Sequence, residues 1–439
     1  MLAVLRSQVA SEILLMKKDS TTRVIANNTL YQFLGKGITM SITILATIIV
    51  TRLYGRQAYG EFSIMQSWPA LVYIIVDFGL NAIATRELSK DFSKADKYFS
   101  SIFIIRLAFS LLFIAFLWLV MVLFPYSESL KFGVRLSLFL ILTQALFTTT
   151  NIIFQTKMRY DLSTISLVSG YVVILALILV FSYFRISVIW LSFSYVIGGI
   201  VSFVVAGRFL KKLGLKLSFQ IDRKLIKELF WLSVPLGIMF VFSQLNFKED
   251  ELLLSILRLP EKYGLNNTES VAVYALPYKI FEVALVVPTF FMNSVYPVMV
   301  RHMTENKGKL KDTFFKSIRF LVISAVAAGV IGYLFAPLAI EILGGSQFNQ
   351  SITVLRILLG GLIFYYLTQP LSWLLVSLEK QIYLPYIYLV AAVFNFAANI
   401  VFIPRYSFYG AAVITHLSEA LILLMLVFGA KKAWGSYYA

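Results

Sequence analysis

Residues 101–124 read SIFIIRLAFSLLFIAFLWLVMVLF. One cation, Arg106, interrupts a run otherwise free of charge and, as a helix, long enough to cross a hydrocarbon core of about 30 Å. Runs of this kind recur along the whole chain, at 30–51, 62–84, 101–124, 133–155, 163–184, 188–208, 230–255, 272–299, 316–336, 353–377, 382–402 and 409–430. Each predicts a membrane-spanning helix, about twelve in all. The connections are short, the longest at 209–229 and 256–271, and leave no room for a separate water-soluble domain.

Composition agrees. Of 439 residues, 59% are hydrophobic and 14% charged, and mean hydropathy is +0.82. A water-soluble domain carries roughly 25% charged residues. The chain has no Cys, which excludes disulfides, thiol catalysis, iron–sulfur centres and Cys-based zinc sites. Its two histidines, His302 and His416, are too far apart in sequence to announce a metal centre. No metal and no cofactor is expected.

The net charge of +17 would suggest nucleic acid in a soluble protein. Here it fits a membrane protein whose cations flank its spans on the cytoplasmic side, and no nucleic-acid partner is expected. With the N-terminus inside, Lys and Arg favour the inner segments over the outer by about three to one, alternating loop by loop. That predicts an even number of crossings and cytoplasmic termini. Residues 1–28 are then a cytoplasmic N-terminal segment, 29–208 and 230–430 two six-helix lobes, 209–229 a basic cytoplasmic linker, and 431–439 a cytoplasmic tail. Residues 2–18 lack the apolar stretch and cleavage site of a signal peptide. They read as a helix on the inner surface or, given Met16-Lys17-Lys18, as an extension before a second start.

The two halves echo each other. Leu142-Thr143-Gln144-Ala145-Leu146 returns as Leu367-Thr368-Gln369-Pro370-Leu371, Tyr59 and Arg86 as Tyr274 and Arg301, and Pro125 as Pro337. The shifting offset places an insertion in the loop containing Gly344-Gly345. Six crossings return the chain to its starting side, so the copies share one orientation and are related by an axis along the membrane normal. Two such lobes around a cavity are the design of a transporter.

Gly55, Tyr59-Gly60-Glu61-Phe62-Ser63, Asp77-Phe78-Gly79-Leu80 and Arg86-Glu87 resemble the first hairpin of Wzx-type polysaccharide flippases. Tyr274, Tyr278-Lys279-Ile280-Phe281-Glu282, Pro288 and Pro297-Val298-Met299 fit the second half, and Gly410-Ala411-Ala412 with Ser418-Glu419 the last helix. The similarity extends over nearly the whole chain. It implies an all-α, MATE-like integral membrane fold of two pseudo-symmetric lobes in a bacterial plasma membrane. It also implies a substrate, an oligosaccharide repeat unit on undecaprenyl pyrophosphate, moved outward by alternating access during O-antigen or capsule synthesis. Membrane lipids, a polysaccharide polymerase and a chain-length regulator are the partners it implies.

Charges inside the spans are the candidate substrate-binding groups, because a buried charge there costs roughly 2.5–3.5 kcal/mol and normally faces a cavity or a partner. Lys36 lies about 8–10 Å into the first span, placed to meet a pyrophosphate or to snorkel back to the headgroups. Lys279 and Glu282, three apart, share a helix face and can pair. Lys248-Glu249-Asp250-Glu251 point four ways around one helix. Either they stand at the outer interface or Asp250 faces inward, at a position resembling the family's seventh-helix acid. Asp77 is either a substrate contact or a fold-supporting bond to a neighbouring helix. Arg106 and Arg319, in the first turns of their spans, read as headgroup anchors, and His416 with Glu419 as a weak proton-coupling pair. Asn266-Asn267-Thr268 matches a glycosylation sequon of no expected consequence.

The alternative function is a cation-coupled exporter of small amphipathic molecules, which calls for an excess of in-span acid. A polymerase or transferase calls for a large outer loop or a catalytic domain, and neither is present. There is no Gly-x-x-x-x-Gly-Lys-[Ser/Thr] loop for ATP. No enzyme activity is expected.

Overall fold

The computed structural model describes the backbone of residues 2–215, 222–305 and 307–438, and the side chains of these from residue 27 except at 304, 305, 307, 436 and 438. The expectation of a surface helix or alternative start in residues 2–18 lies outside the described side chains. The middle of the linker, 216–221, lies outside the described residues.

Every element longer than one turn is an α-helix among the described residues, as lipid demands of backbone that has no water to bond. The first half runs α1 (Leu2–Asp77), α2 (Leu80–Lys90), α3 (Ala95–Val120), α4 (Glu128–Ser137), α5 (Phe139–Thr156), α6 (Tyr160–Tyr183) and α7 (Val188–Lys212). The second runs α8 (Arg223–Ile256), α9 (Asn267–Ala284), α10 (Val286–Glu305), α11 (Lys307–Gly344), α12 (Asn349–Gly360), α13 (Leu362–Ser377) and α14 (Tyr383–Tyr438).

Among the described residues, ten stretches are long and apolar enough to cross a membrane. Two of them, Asn27–Lys90 and Tyr383–Gly435, have 64 and 53 residues. At 1.5 Å per residue these reach about 96 and 80 Å, far more than one crossing needs. Both reverse direction. Gly55 has φ 83° and ψ −179°, a region open in practice only to glycine. Before it, α1 runs alongside α6, with Gly35 at Thr164 and Tyr54 at Phe181. After it, α1 runs against α8, with Ser63 at Glu251 and, just past the end of α1, Gly79 at Gly237. In α14 the turn is at Ser407, φ 50°, and Asn399 and Thr415 on either side of it reach the same Asp250 carboxylate. Ten stretches with two hairpins give the twelve crossings.

The helices pack in two groups. In the first, α7 lies on α6 and α5, α5 on α3, and α6 on α1; in the second, α8 and α13 lie on α14, and α12 on α9 and α11. Between groups, α1 does most of the work, against α8, α9 and α11. The repeat is visible in the breaks. The second crossing of each half is interrupted, at Phe78-Gly79 and at Leu285, and so is the fourth, at Leu138 and at Gly361. The matched Tyr59 and Tyr274 are both buried, at 1% and 2% exposure. The insertion expected near Gly344 is carried as helix, since α11 has 38 residues against 26 in α3.

The segments around 91–94, 157–159 and 213–215 lie on one side, called here the basic side. The turns at Gly55, 184–187, 257–266 and Ser407 lie on the opposite side.

Candidate translocation site

The seam between the lobes is closed on the opposite side by polar contacts between residues distant in sequence. Arg56, just past the Gly55 reversal, pairs with Glu269 at 2.8 Å and donates to the Gln347 carbonyl at 3.0 Å. The Gln347 side chain accepts from the Arg56 backbone at 2.9 Å and donates to the Thr51 carbonyl at 2.9 Å. Asn266 donates to Gln57 at 3.0 Å. Arg52 caps the C-terminus of α11 through the Glu341 carbonyl, where a cation meets the negative end of the helix dipole. Beside these, Tyr126 and Ser255 share a hydrogen bond of 2.6 Å, and deeper the Ser63 hydroxyl donates to Glu251. Gly60 lets α1 come this close to α9, because a Cβ there would fall 2.0 Å from the Thr268 carbonyl oxygen.

Among the described residues, the contacts across the seam on the basic side include two aromatic stacks and the close approach of Gly79 to Gly237. Phe33 stacks on Phe290 at 4.1 Å and Phe78 on Phe230 at 5.7 Å. Lys97 pairs with Asp222 at 2.5 Å at the rim, and that ammonium holds the Asp222 carboxyl below the usual carboxylate range.

Within the second lobe a polar group stands at the end of this seam. Glu282 on α9 takes Lys248 of α8 at 2.9 Å and Lys279 at 3.2 Å. The expected Lys279–Glu282 pair is thus joined by a second lysine, whose ammonium also lies 5.5 Å from the Tyr278 ring. The side chains of Lys279 and Glu282 are 39% and 36% exposed, although both lie deep in a span. Lys248 is about 12 Å from the opposite-side end of α8. Lys36 is exposed on the basic half of α1 and forms no ion pair among the described residues.

The neighbouring acids point apart, as residues 100° apart on a helix must. Glu251 faces the first lobe at Ser63. Asp250, 1% exposed, turns into its own lobe and accepts from Tyr274 at 2.8 Å, Asn399 at 2.6 Å and Thr415 at 2.5 Å. Glu249 is 6% exposed, beside Asn395. The outer-interface alternative is corrected here, since all three acids are buried; Asp250 faces inward, into its own lobe, and Glu251 faces the first lobe.

In the first lobe Asp77, the last residue of α1, is ion-paired with Arg106. Arg106 is wholly buried and also donates to Thr149 at 3.0 Å. The headgroup-anchor reading of Arg106 is therefore wrong. Its carboxylate partner lies one helix away, and burial without a partner would cost far more than snorkelling could recover. The Asp77 carboxylate is engaged within its own lobe, away from Lys248 and Lys279. His416 and Glu419 also have separate partners, the Ile357 carbonyl at 2.6 Å and the Thr368 hydroxyl at 2.6 Å. The Asn266 sequon is a helix cap. Its side chain accepts from the Glu269 backbone at 2.9 Å, and Glu269 returns the bond.

Sequence reasoning missed Asn395, Asn399 and Thr415. The first two stand four apart in an otherwise apolar run, hence on one helix face, and that spacing was the available signal. Thr368 was quoted only as part of the repeat.

Comparison with known proteins agrees with this architecture. A family model described as polysaccharide biosynthesis protein matches residues 25–303, and the MatE model matches 263–401. A search of curated proteins finds no match. Among solved structures, the chain is similar to a multidrug resistance MATE family transporter of the MOP superfamily in an inward-facing conformation. The identity is 14%, with 91% of this chain and 94% of that one covered and a TM-score of 0.74. The lipid II flippase MurJ, inward closed, aligns at 16% identity over 93% and 90% of the chains, TM-score 0.72. A MOP superfamily transporter from Pyrococcus furiosus aligns at 16% identity over 95% and 96%, TM-score 0.63. Likeness at this identity establishes the fold alone, that of the MATE-like transporters and flippases. The model covering residues 25–303 takes in more than half of the sequence, so the chain belongs to the polysaccharide biosynthesis protein family.

Proposed function

We propose that this protein flips an oligosaccharide carried on undecaprenyl pyrophosphate from the cytoplasmic to the outer leaflet of a bacterial plasma membrane, in O-antigen or capsule synthesis. The observation that carries the proposal is the Lys248–Glu282–Lys279 group. Its Lys279 and Glu282 side chains are partly exposed deep in a span, and the latch around Arg56 closes the seam on the opposite side. In an apolar medium such charges belong to an aqueous path.

In this reading the basic side is cytoplasmic, as the distribution of Lys and Arg suggests, and the protein stands open to the cytoplasm. Lys36 meets the pyrophosphate on entry. Lys248 and Lys279 receive it further in, and Glu282 holds both lysines until the anion displaces it. Rocking of the lobes breaks the Arg56–Glu269–Gln347 contacts and opens the other side. Behind this surface Asp250 of α8 is reached by Tyr274 of α9 and by Asn399 and Thr415 of α14. The chain carries out no bond chemistry; a polymerase and a chain-length regulator act on its product.

The test is depletion of the protein followed by analysis of polyprenyl-linked glycans. Accumulation of one glycan on undecaprenyl pyrophosphate, inaccessible from outside, is expected. The second reading, a cation-coupled exporter of small molecules, is favoured by the MatE match over 263–401 and by the buried acids of the second lobe. Unchanged glycan pools with increased sensitivity to cationic dyes would select it instead.

A further inference from the structure

A cavity of about 550 Å³ lies away from the Lys248–Lys279 surface, on the flank where α2 and α3 of the first lobe meet the start of α8. Its wall is apolar. Ile105, Phe109 and Phe113 of α3 face Phe78 and Phe230 across it. Phe109 and Phe230 are 44% and 46% exposed, so the cavity opens toward lipid rather than toward the core. From Ser101 to Phe113 it follows α3 for roughly 18 Å, about the depth of one leaflet's hydrocarbon.

Two features show what would occupy it. At the rim on the basic side stand Arg223 and Lys227, one turn apart on α8, and neither is in an ion pair among the described residues. Inside the wall, the Ser101 hydroxyl is wholly buried and has no hydrogen-bond partner. An apolar slot one leaflet deep, with two unpaired cations at headgroup level, matches a long hydrocarbon chain ending in a multiply charged anion. Two cations suit a pyrophosphate better than the single charge of a phosphodiester lipid.

We infer that this flank is a binding site for the isoprenoid part of the carrier lipid, with the polyprenyl chain in the cavity and its pyrophosphate on Arg223 and Lys227. The inference rests on the flippase reading and adds to it a place for the tail. The site straddles the lobes at the Phe78–Phe230 stack, so a chain held there moves with their relative rotation. This is a docking position that precedes transfer of the pyrophosphate to Lys248 and Lys279 in the central seam.

The experiment uses the full-length protein in phosphatidylcholine nanodiscs and a diazirine-bearing farnesyl pyrophosphate, with labelled peptides mapped by mass spectrometry. Labelling of residues 101–113 and 226–230 is expected. The Arg223→Ala/Lys227→Ala variant, altered only at exposed positions, should lower it about tenfold or more. Ser101→Phe, which fills the slot, should abolish it, and excess phosphatidylglycerol should not compete. Unchanged labelling in the double variant overturns the site. Equal competition by phosphatidylglycerol also overturns it, showing a general anionic-lipid site, and so does the absence of labelling. Labelling confined to the Lys248–Lys279 seam overturns the tail site alone and leaves the flippase reading standing. Labelling at the flank with unchanged glycan pools after depletion overturns the flippase reading while keeping the site.

Discussion

The two lobes bury their charges differently. The first places one ion pair, Asp77 with Arg106, at its centre and leaves it neutral. The second buries Glu249, Asp250 and Glu419, and no cationic side chain pairs with any of them among the described residues. Neutral donors surround them: Tyr274, Asn399 and Thr415 for Asp250, and Thr368 for Glu419. A closed ion pair is fixed structure. Carboxyls held only by hydroxyls and amides can exchange what neutralises them, whether a proton or a cation from outside the chain. Under the proposed transport function, the first lobe's pair is scaffold and the second lobe's acids are the place for coupling.

The largest effect should come from breaking the scaffold. Arg106→Ala strands a buried carboxylate at a cost of about 3–5 kcal/mol and should abolish accumulation of folded protein, read by size-exclusion of a fluorescent fusion. Arg106→Met with Asp77→Leu removes both charges and should restore folding, because a buried pair is often replaceable by apolar groups of similar size. Asp250→Asn should act the other way round. The shape and most donors remain, so folded protein should stay near the wild-type amount while surface polysaccharide falls about tenfold or more. If it destroyed folding as Arg106→Ala does, the contrast between lobes would disappear.

Most of the fold was legible in the sequence because lipid imposes one rule on every span. Length and apolarity located the crossings. The hairpins at Gly55 and Ser407 fall between runs that hydropathy already separates, but the breaks inside single crossings, at Phe78-Gly79 and Leu285, carry no polar signal and were not legible. The candidate site was half legible. Lys279 and Glu282 were paired by spacing. Lys248 joins them from another helix, and the facing of Asp250, Glu251 and Arg106 depends on neighbours no spacing identifies. Neutral Asn395, Asn399 and Thr415 carry no charge to draw attention, yet they line the second lobe's polar centre.

Smaller effects sharpen the account of the seam. Lys279→Ala leaves Glu282 paired with Lys248 and should lower surface polysaccharide only a few-fold. Lys248→Ala with Lys279→Ala leaves an unpaired carboxylate where an anion must bind, and should lower it about a hundredfold, at unchanged protein level. Equal effects of the single and double variants would remove Glu282 as the bridge between them. The smallest change is expected from Asp222→Asn. Its contact with Lys97 is exposed and screened, so the thermal midpoint should move very little and export not at all.

The claim on which the account stands is that the lobes part on the side now latched by Arg56, Gln57, Glu269 and Gln347. The chain has no native Cys, so Gln57→Cys with Asn266→Cys supplies the only two thiols. These can be bridged by a short, reducible bis-methanethiosulfonate while surface polysaccharide is followed in cells. The account predicts that bridging stops export and that a reductant restores it. Full bridging with export continuing at the unbridged rate would contradict it.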